Sequence, residues 1–294
     1  MQRLTLRNQS SARMHMSTTH TAVILLSLLS CLTTCIGVAL AIALRENARA
    51  IAGGIGFSVG IMILISIFEL IPESIAIMGV GATLTSAALG AALVWAAHLI
   101  VPHTHFVEEK GVVDSALVKS AYLVVFGLIL HDVPEGFAMA NAYIASPARG
   151  LLVGLAIALH NLPEEFAMSV PAVVLKSRGF LFGAALLSAL AEPLGAVIGL
   201  VAVELAPALN AHFMAFAAGA MLFVSIHELI PMARRYRHIR LFFLGMIFSV
   251  LVYGLLAITI GQRVDEGRIG GLGASETKSR LRPATQSGPC YAPI

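Results

Sequence analysis

Charge is scarce in this chain. Only 12% of its 294 residues are Asp, Glu, Lys or Arg, where a soluble domain carries roughly 25%. With 58% hydrophobic residues and a mean hydropathy of +0.88, this excludes an ordinary soluble globule and points to a polytopic membrane protein. The net charge of +3 is small and no basic stretch interleaves with aromatics, so nothing suggests a nucleic-acid partner. Cysteine is nearly absent. Cys31 and Cys35 sit in an apolar run and Cys290 in the C-terminal tail, which gives neither a disulfide framework nor a thiolate metal motif. There is no nucleotide-binding motif. There is also no His-Glu-x-x-His, because His227-Glu228 continues as Leu-Ile-Pro without a second histidine.

Long apolar runs are present instead. A spanning helix takes about 20 mostly apolar residues, and eight segments qualify: 21–44, 51–72, 77–101, 117–144, 148–174, 180–204, 208–231 and 240–262. The reading is an all-α integral membrane protein with three parts. Residues 1–19 form a polar N-terminal segment, 20–262 the membrane domain, and 263–294 a tail rich in Gly, Ser, Pro and charge, read as disordered. The first apolar run is too long for a signal-peptide core and is read as a retained helix.

Lysine and arginine set the orientation. Arg45, Arg49, Lys110, Lys119, Lys176, Arg178, Arg234, Arg235, Arg237 and Arg240 follow the odd-numbered spans, and only Arg149 follows an even-numbered one. This places both termini on the non-cytoplasmic side, although Arg3, Arg7 and Arg13 argue the other way. The multi-pass chain would reside in a cell or inner membrane, and an organellar membrane stays open.

Two repeats stand out. HDVPEGFAM (131–139) and HNLPEEFAM (160–168) agree at six of nine positions, on the consecutive fourth and fifth spans. SIFELIP (66–72) and SIHELIP (225–231) agree at six of seven, on the second and seventh. Each pair crosses the membrane in opposite directions, the signature of an inverted-topology repeat with a site near the bilayer midplane.

The spans hold seven carboxylates, Glu69, Asp132, Glu135, Glu164, Glu165, Glu192 and Glu228, joined by His131, His160, His227 and Asn161. No Lys or Arg lies in their hydrocarbon part. A charged side chain at the bilayer centre costs about 2.5–3.5 kcal/mol on the insertion scale, so protonation, water or a bound cation must balance these acids. His131 and Glu135 are four apart on one helix face, as are His160 and Glu164. Imidazole with carboxylate suits zinc, and also Fe(II), Mn(II), Co(II) or Cd(II). Pro134 and Pro163 each precede the glutamate and remove a helix hydrogen bond at the depth of the site.

Single residues have blander readings. An isolated intramembrane His or Glu can be an interhelical clamp. Glu69 and Glu228 can be structural, with Pro72 and Pro231 ending their helices, or they can join His227 as relay positions at the pathway's two mouths. Met139 and Met168 read as packing. His98, His103 and His105, beside Glu108 and Glu109, read as solvated or as weak ligands on the exit side.

With these residues in hand, the chain resembles the ZIP family, the Zrt-, Irt-like zinc–iron permeases, and most of all its ZupT/GufA-type branch. The resemblance covers about 20–262 and rests on the paired His-x-x-Pro-Glu motifs. It implies eight helices in a 3+2+3 inverted repeat, both termini outside, import of divalent metal into the cytosol, and an elevator-like motion of helices 1, 4, 5 and 6 against 2, 3, 7 and 8. Homodimers are common in the family. Carried over residue by residue, it implies one metal position at His131, Glu135, His160 and Glu164. A second, adjacent one would use Asp132, Asn161 and Glu192, with Glu164 bridging. No prosthetic group is implied; Zn2+, or Fe2+, Mn2+ or Cd2+, is the cargo. Two positions depart from the family pattern: Asp132 stands for Asn and Glu165 for Gly. Two other functions stay open, a membrane-embedded metal-dependent hydrolase and a metal exporter.

Overall fold

A computed structural model describes residues 2–44, 47–100, 116–174 and 178–280. His103, His105, Glu108 and Glu109 lie outside the described residues, as do the side chains of His98 and Met168. Nine α-helices are described: α1 (Gln2–Leu44), α2 (Ala48–Leu64), α3 (Ile71–Ile100), α4 (Ala116–Ala145), α5 (Pro147–Val174), α6 (Arg178–Leu205), α7 (Asn210–Val224), α8 (Ile230–Arg235) and α9 (Ile239–Arg280). No strand occurs among the described residues. Backbone helix α9 extends past 262, the end expected of the last span, to Arg280.

Among the described residues, five helical stretches are long and apolar enough to cross a membrane: Thr18–Ala43, Ala48–Ala97, Leu186–Leu205, Pro207–Arg235 and Ile239–Gln262. The second is 50 residues long. Straight, it would run about 75 Å, against a hydrocarbon core of about 30 Å. It bends at Gly79, whose φ of 82° and ψ of 166° interrupt the helix. Only glycine takes that conformation at low cost, so the break falls just inside the start of the expected third span, 77–101. Helices α4 and α5, of 30 and 28 residues, correspond to the spans that carry the ionisable residues.

The second repeat becomes two matching backbone irregularities. Between α2 and α3 the chain makes a π-helical turn at Ile65–Leu70, and between α7 and α8 another at Ser225–Leu229. The amide of Ile71 reaches the carbonyl of Ser66, and that of Ile230 the carbonyl of Ser225. Pro72 and Pro231 therefore do not end their helices. Each stands at the start of the α-helix that follows a wide turn, and such turns often mark functional sites.

The surface is apolar, and a polar cluster lies buried inside. Leu244, Ile247, Leu251 and Leu255 on α9 and Leu84, Leu89 and Leu93 on α3 are all more than half exposed, whereas His131, Glu135, His160, Glu164 and Glu192 are buried. That inversion suits lipid outside and an ion inside. The helices pack in corresponding pairs: α1 on α5 as α4 on α6, α2 on α9 as α3 on α7, and α2 on α5 as α4 on α7. Contacts of backbone on backbone are made by glycines. A Cβ at Gly56 of α2 would lie 2.0 Å from the carbonyl oxygen of Phe242 on α9, and one at Gly90 of α3 1.9 Å from that of Phe216 on α7.

Candidate metal centre

The site forms where α4, α5 and α6 come together. A Cβ built on Gly136 would sit 1.9 Å from the carbonyl oxygen of Glu192, and one on Gly195 2.2 Å from that of Val133. With no side chain between them, α4 and α6 touch backbone to backbone. This sets Glu135 and Glu192 beside one another across the seam. Pro134, Pro163 and Pro193 each adjoin a site glutamate within their helices; Pro193, next to Glu192, adds a third disrupted turn at the same level.

Four of the expected donors meet. His160 Nε2 lies 3.2 Å from Glu135 Oε1 and 3.3 Å from Glu164 Oε2. His131 Nε2 lies 3.5 Å from Glu164 Oε1, so Glu164 faces one imidazole with each oxygen. Ligand atoms of Glu135, His160 and Glu164 all fall within 4.8 Å of one another, the one such grouping among the described residues. The other ring nitrogen of His160, Nδ1, lies 3.1 Å from the Ala156 carbonyl oxygen. A carbonyl can only accept, so Nδ1 carries the proton. In the neutral ring Nε2 then turns its lone pair toward two carboxylates, the arrangement that metal-binding histidines use. Neither Glu164 oxygen has a hydrogen-bond donor, and both are buried. Converging electron pairs with no donor among them fit a divalent cation.

Asn161 and Glu192 adjoin this cluster. The Asn161 amide donates to Glu192 Oε2 at 2.8 Å and to Ser30 Oγ of α1 at 2.7 Å. Asp132 takes another direction: its Oδ2 accepts from Ser188 Oγ of α6 at 2.7 Å, and that hydroxyl also lies 2.8 Å from Glu165 Oε1. Asp132 and Glu165, the two positions expected to depart from the family pattern, thus face one another across one serine.

The three relay candidates separate. Glu228 Oε2 comes within 3.7 Å of His131 Nδ1, at the edge of the site. His227 stacks on Phe223, ring centroids 4.8 Å apart. Glu69 lies elsewhere: Arg149 Nε is 3.5 Å from its Oε2, and Tyr253 OH donates to its Oε1 at 2.5 Å. Arg149 also pairs with Glu73 at 2.9 Å. Glu69 therefore has a basic partner that the sequence assigned to a loop. Met139 is fully buried in the apolar core.

Sequence reasoning passed over Ser30, Ser188 and Ser58, and took Arg149 only as a loop charge. Ser58 of α2 donates to the His160 carbonyl at 3.0 Å. A faint signal existed for two of them. Ser30 stands seven residues before Gly37, and Ser188 seven before Gly195. A Cβ at Gly37 would lie 2.5 Å from the Leu162 carbonyl oxygen, and Leu162 is the counterpart of Val133. Serine and glycine in an apolar helix are too common to attract notice alone.

These helices and this donor set define a class: a multi-pass membrane protein with a buried imidazole–carboxylate cluster suited to a divalent metal ion. Residues 101–259 match the ZIP Zinc transporter family, and the chain belongs to that family. It is 35% identical over 170 residues to "Zinc transporter GufA" of Myxococcus xanthus, covering 57% of this chain and 66% of that protein. It is 34% identical over 190 residues to "Zinc transporter ZupT" of Corynebacterium aurimucosum, covering 59% and 72%. With "Zinc transporter ZIPB" of Bordetella bronchiseptica it shares 44% over 140 residues, 47% of this chain and 45% of the relative. Membership places the chain among transporters and sets aside the hydrolase reading.

Proposed function

We propose that this protein is a secondary transporter that imports divalent transition metal, zinc first and Fe2+, Mn2+ or Cd2+ as alternatives, into the cytosol. One observation carries the reading: His160 Nε2, with its ring proton committed to Ala156, faces Glu135 and Glu164. His131, Glu135, His160 and Glu164 form the first metal position. Asn161 and Glu192 belong to an adjacent one, with Asp132 held beside it by Ser188.

The architecture proposed is eight spans in a 3+2+3 inverted repeat, both termini on the non-cytoplasmic side. Exchanging α1 with α6, α4 with α5, α2 with the α7–α8 span and α3 with α9 converts α1 on α5 into α4 on α6, α2 on α9 into α3 on α7, and α2 on α5 into α4 on α7. The moving body is α1, α4, α5 and α6, and the remaining helices form the scaffold. The glycine contacts support this division: Gly37, Gly136 and Gly195 lock the first group, and Gly56, Gly90 and Gly219 the second. Gly54 faces Pro163 across the boundary, where a Cβ would stand 3.0 Å from the proline Cβ, tight but less so than those contacts within either group. A boundary with few interlocked backbones can slide.

The deciding experiment is uptake into proteoliposomes with a panel of competing metals at two pH values. Wild type carries zinc, and His160→Ala carries none. Equal flux from both would remove the site assignment, and flux only from metal-loaded vesicles would favour export.

The motion can be tested separately. Arg149 of α5 meets Glu73 of α3 across the proposed boundary. In a chain with Cys31, Cys35 and Cys290 replaced by serine, cysteines at 149 and 73 are bridged with a cleavable thiol cross-linker. Flux falls to background when bridged and returns on cleavage. Full flux through bridged protein would mean that α5 and α3 do not separate.

A further inference from the structure

In both halves of the repeat, the residue after the site histidine is tied to a serine on the flanking helix. Asn161 bonds Ser30 of α1, and Asp132 bonds Ser188 of α6. The ties are geometrically equivalent and chemically different. Asn161 is neutral, and its amide also donates to Glu192. Asp132 accepts from a hydroxyl that faces a second carboxylate, Glu165, at a similar distance. Ser188 is 1% exposed, Asp132 5% and Glu165 2%, so little solvent reaches either acid. A hydroxyl has one proton to donate. Both acids draw on that one proton; Glu165 has a second hydroxyl donor in Ser169, so Asp132 is the acid that depends on Ser188.

Asp132 has the metal cluster within reach on its own helix. It lies three residues before Glu135 on α4, a spacing that puts both on one helix face. The tight donor grouping holds Glu135, His160 and Glu164 but not Asp132. We infer that Ser188 is a positioning residue that sets metal preference, by holding the Asp132 carboxylate away from the Glu135–His160–Glu164 cluster. This rests on the reading of that cluster as the transport site. A freed Asp132 adds a third carboxylate to a site of imidazoles and two carboxylates. Carboxylate-rich sites suit manganese, whereas imidazole suits zinc. Glu165 acts on the same balance from the other side, since removing it leaves the hydroxyl to Asp132 alone. Asp132 and Glu165 work as one unit through Ser188.

The test is the ratio of zinc to manganese transport in proteoliposomes. Ser188→Ala moves the ratio toward manganese by about threefold or more, within the coupling range of residues that share one hydrogen-bond network. Ser188→Thr, which keeps the hydroxyl, retains the wild-type ratio. Glu165→Gln shifts it toward zinc, and gives a readout should Ser188→Ala fail to fold. In an Asp132→Asn background, Ser188→Ala adds nothing. A shift that persists undiminished in that background would mean that Ser188 acts by packing alone, and would overturn the inference. So would a ratio that moves in neither single variant. Absence of zinc flux in the wild type would instead overturn the transport reading itself.

Discussion

In proteoliposomes, Glu164→Gln carries no metal above background. The glutamine keeps the shape of the side chain and removes its charge. Glu164 faces His131 at 3.5 Å with one oxygen and His160 at 3.3 Å with the other, so it meets both histidines of the paired motif through separate atoms. Loss of a residue that merely supports a metal ligand costs about 10- to 100-fold. Loss of the ligand between two imidazoles sets a fall in flux of at least about 100-fold. Stability moves the opposite way. Both oxygens are buried without a donor, and a buried acid in that state weakens the fold. Metal-free Glu164→Gln therefore melts no lower than metal-free wild type. Wild type gains about 2.7 kcal/mol at a metal concentration 100 times Kd, and the variant loses that gain. Scanning calorimetry or dye-based melting with and without zinc reads both effects. A variant that melts low without metal but still rises with zinc would show that Glu164 is structural.

Gly136→Ala is the second large effect, although it adds one methyl group and no charge. Its Cβ would stand 1.9 Å from the Glu192 carbonyl oxygen and 2.7 Å from the Ala196 nitrogen. Both are backbone atoms, so α4 and α6 must separate. Overpacking of this kind costs about 1–3 kcal/mol, and here the displaced backbone carries Glu135 on one side and Glu192 on the other. Flux falls at least about tenfold, since a shift near 1 Å in a positioned site is costly. Gly254→Ala on α9 is the matched control. Nothing lies within 4 Å of its Cβ, and alanine in a helix interior gains about 1 kcal/mol over glycine. Measured melting and flux should separate the two variants cleanly. Equal behaviour would mean that the α4–α6 seam is looser than its backbone contacts indicate.

Much of the site was legible before folding. His131, Glu135, His160 and Glu164 stood out because polar residues in apolar helices are rare and these recur in one order. The i, i+4 spacing settled that each pair shares a face, and the structure adds that the two faces meet. Glu69 was legible only as an acid in a span. Its partners Arg149 and Tyr253 lie far along the chain, and Arg149 looked like a loop residue. The prolines of the second repeat were read as helix ends because proline removes a backbone donor. The π-turns let the helices pass through, which local sequence rules do not foresee.

The sequence by itself determined the membrane class and singled out the repeated motifs and the donors proposed for the metal, because hydropathy and helical period are local properties of a chain. Tertiary structure alone decided which residues face each donor. It brought Glu228 to His131, turned Glu69 to Arg149, and joined Asp132 to Glu165 through Ser188. Those pairings depend on how closely helices approach and at what register. Glycine contacts such as Gly136 on Glu192 and Gly37 on Leu162 fix that approach, and a contact between distant backbones leaves little trace in the order of residues.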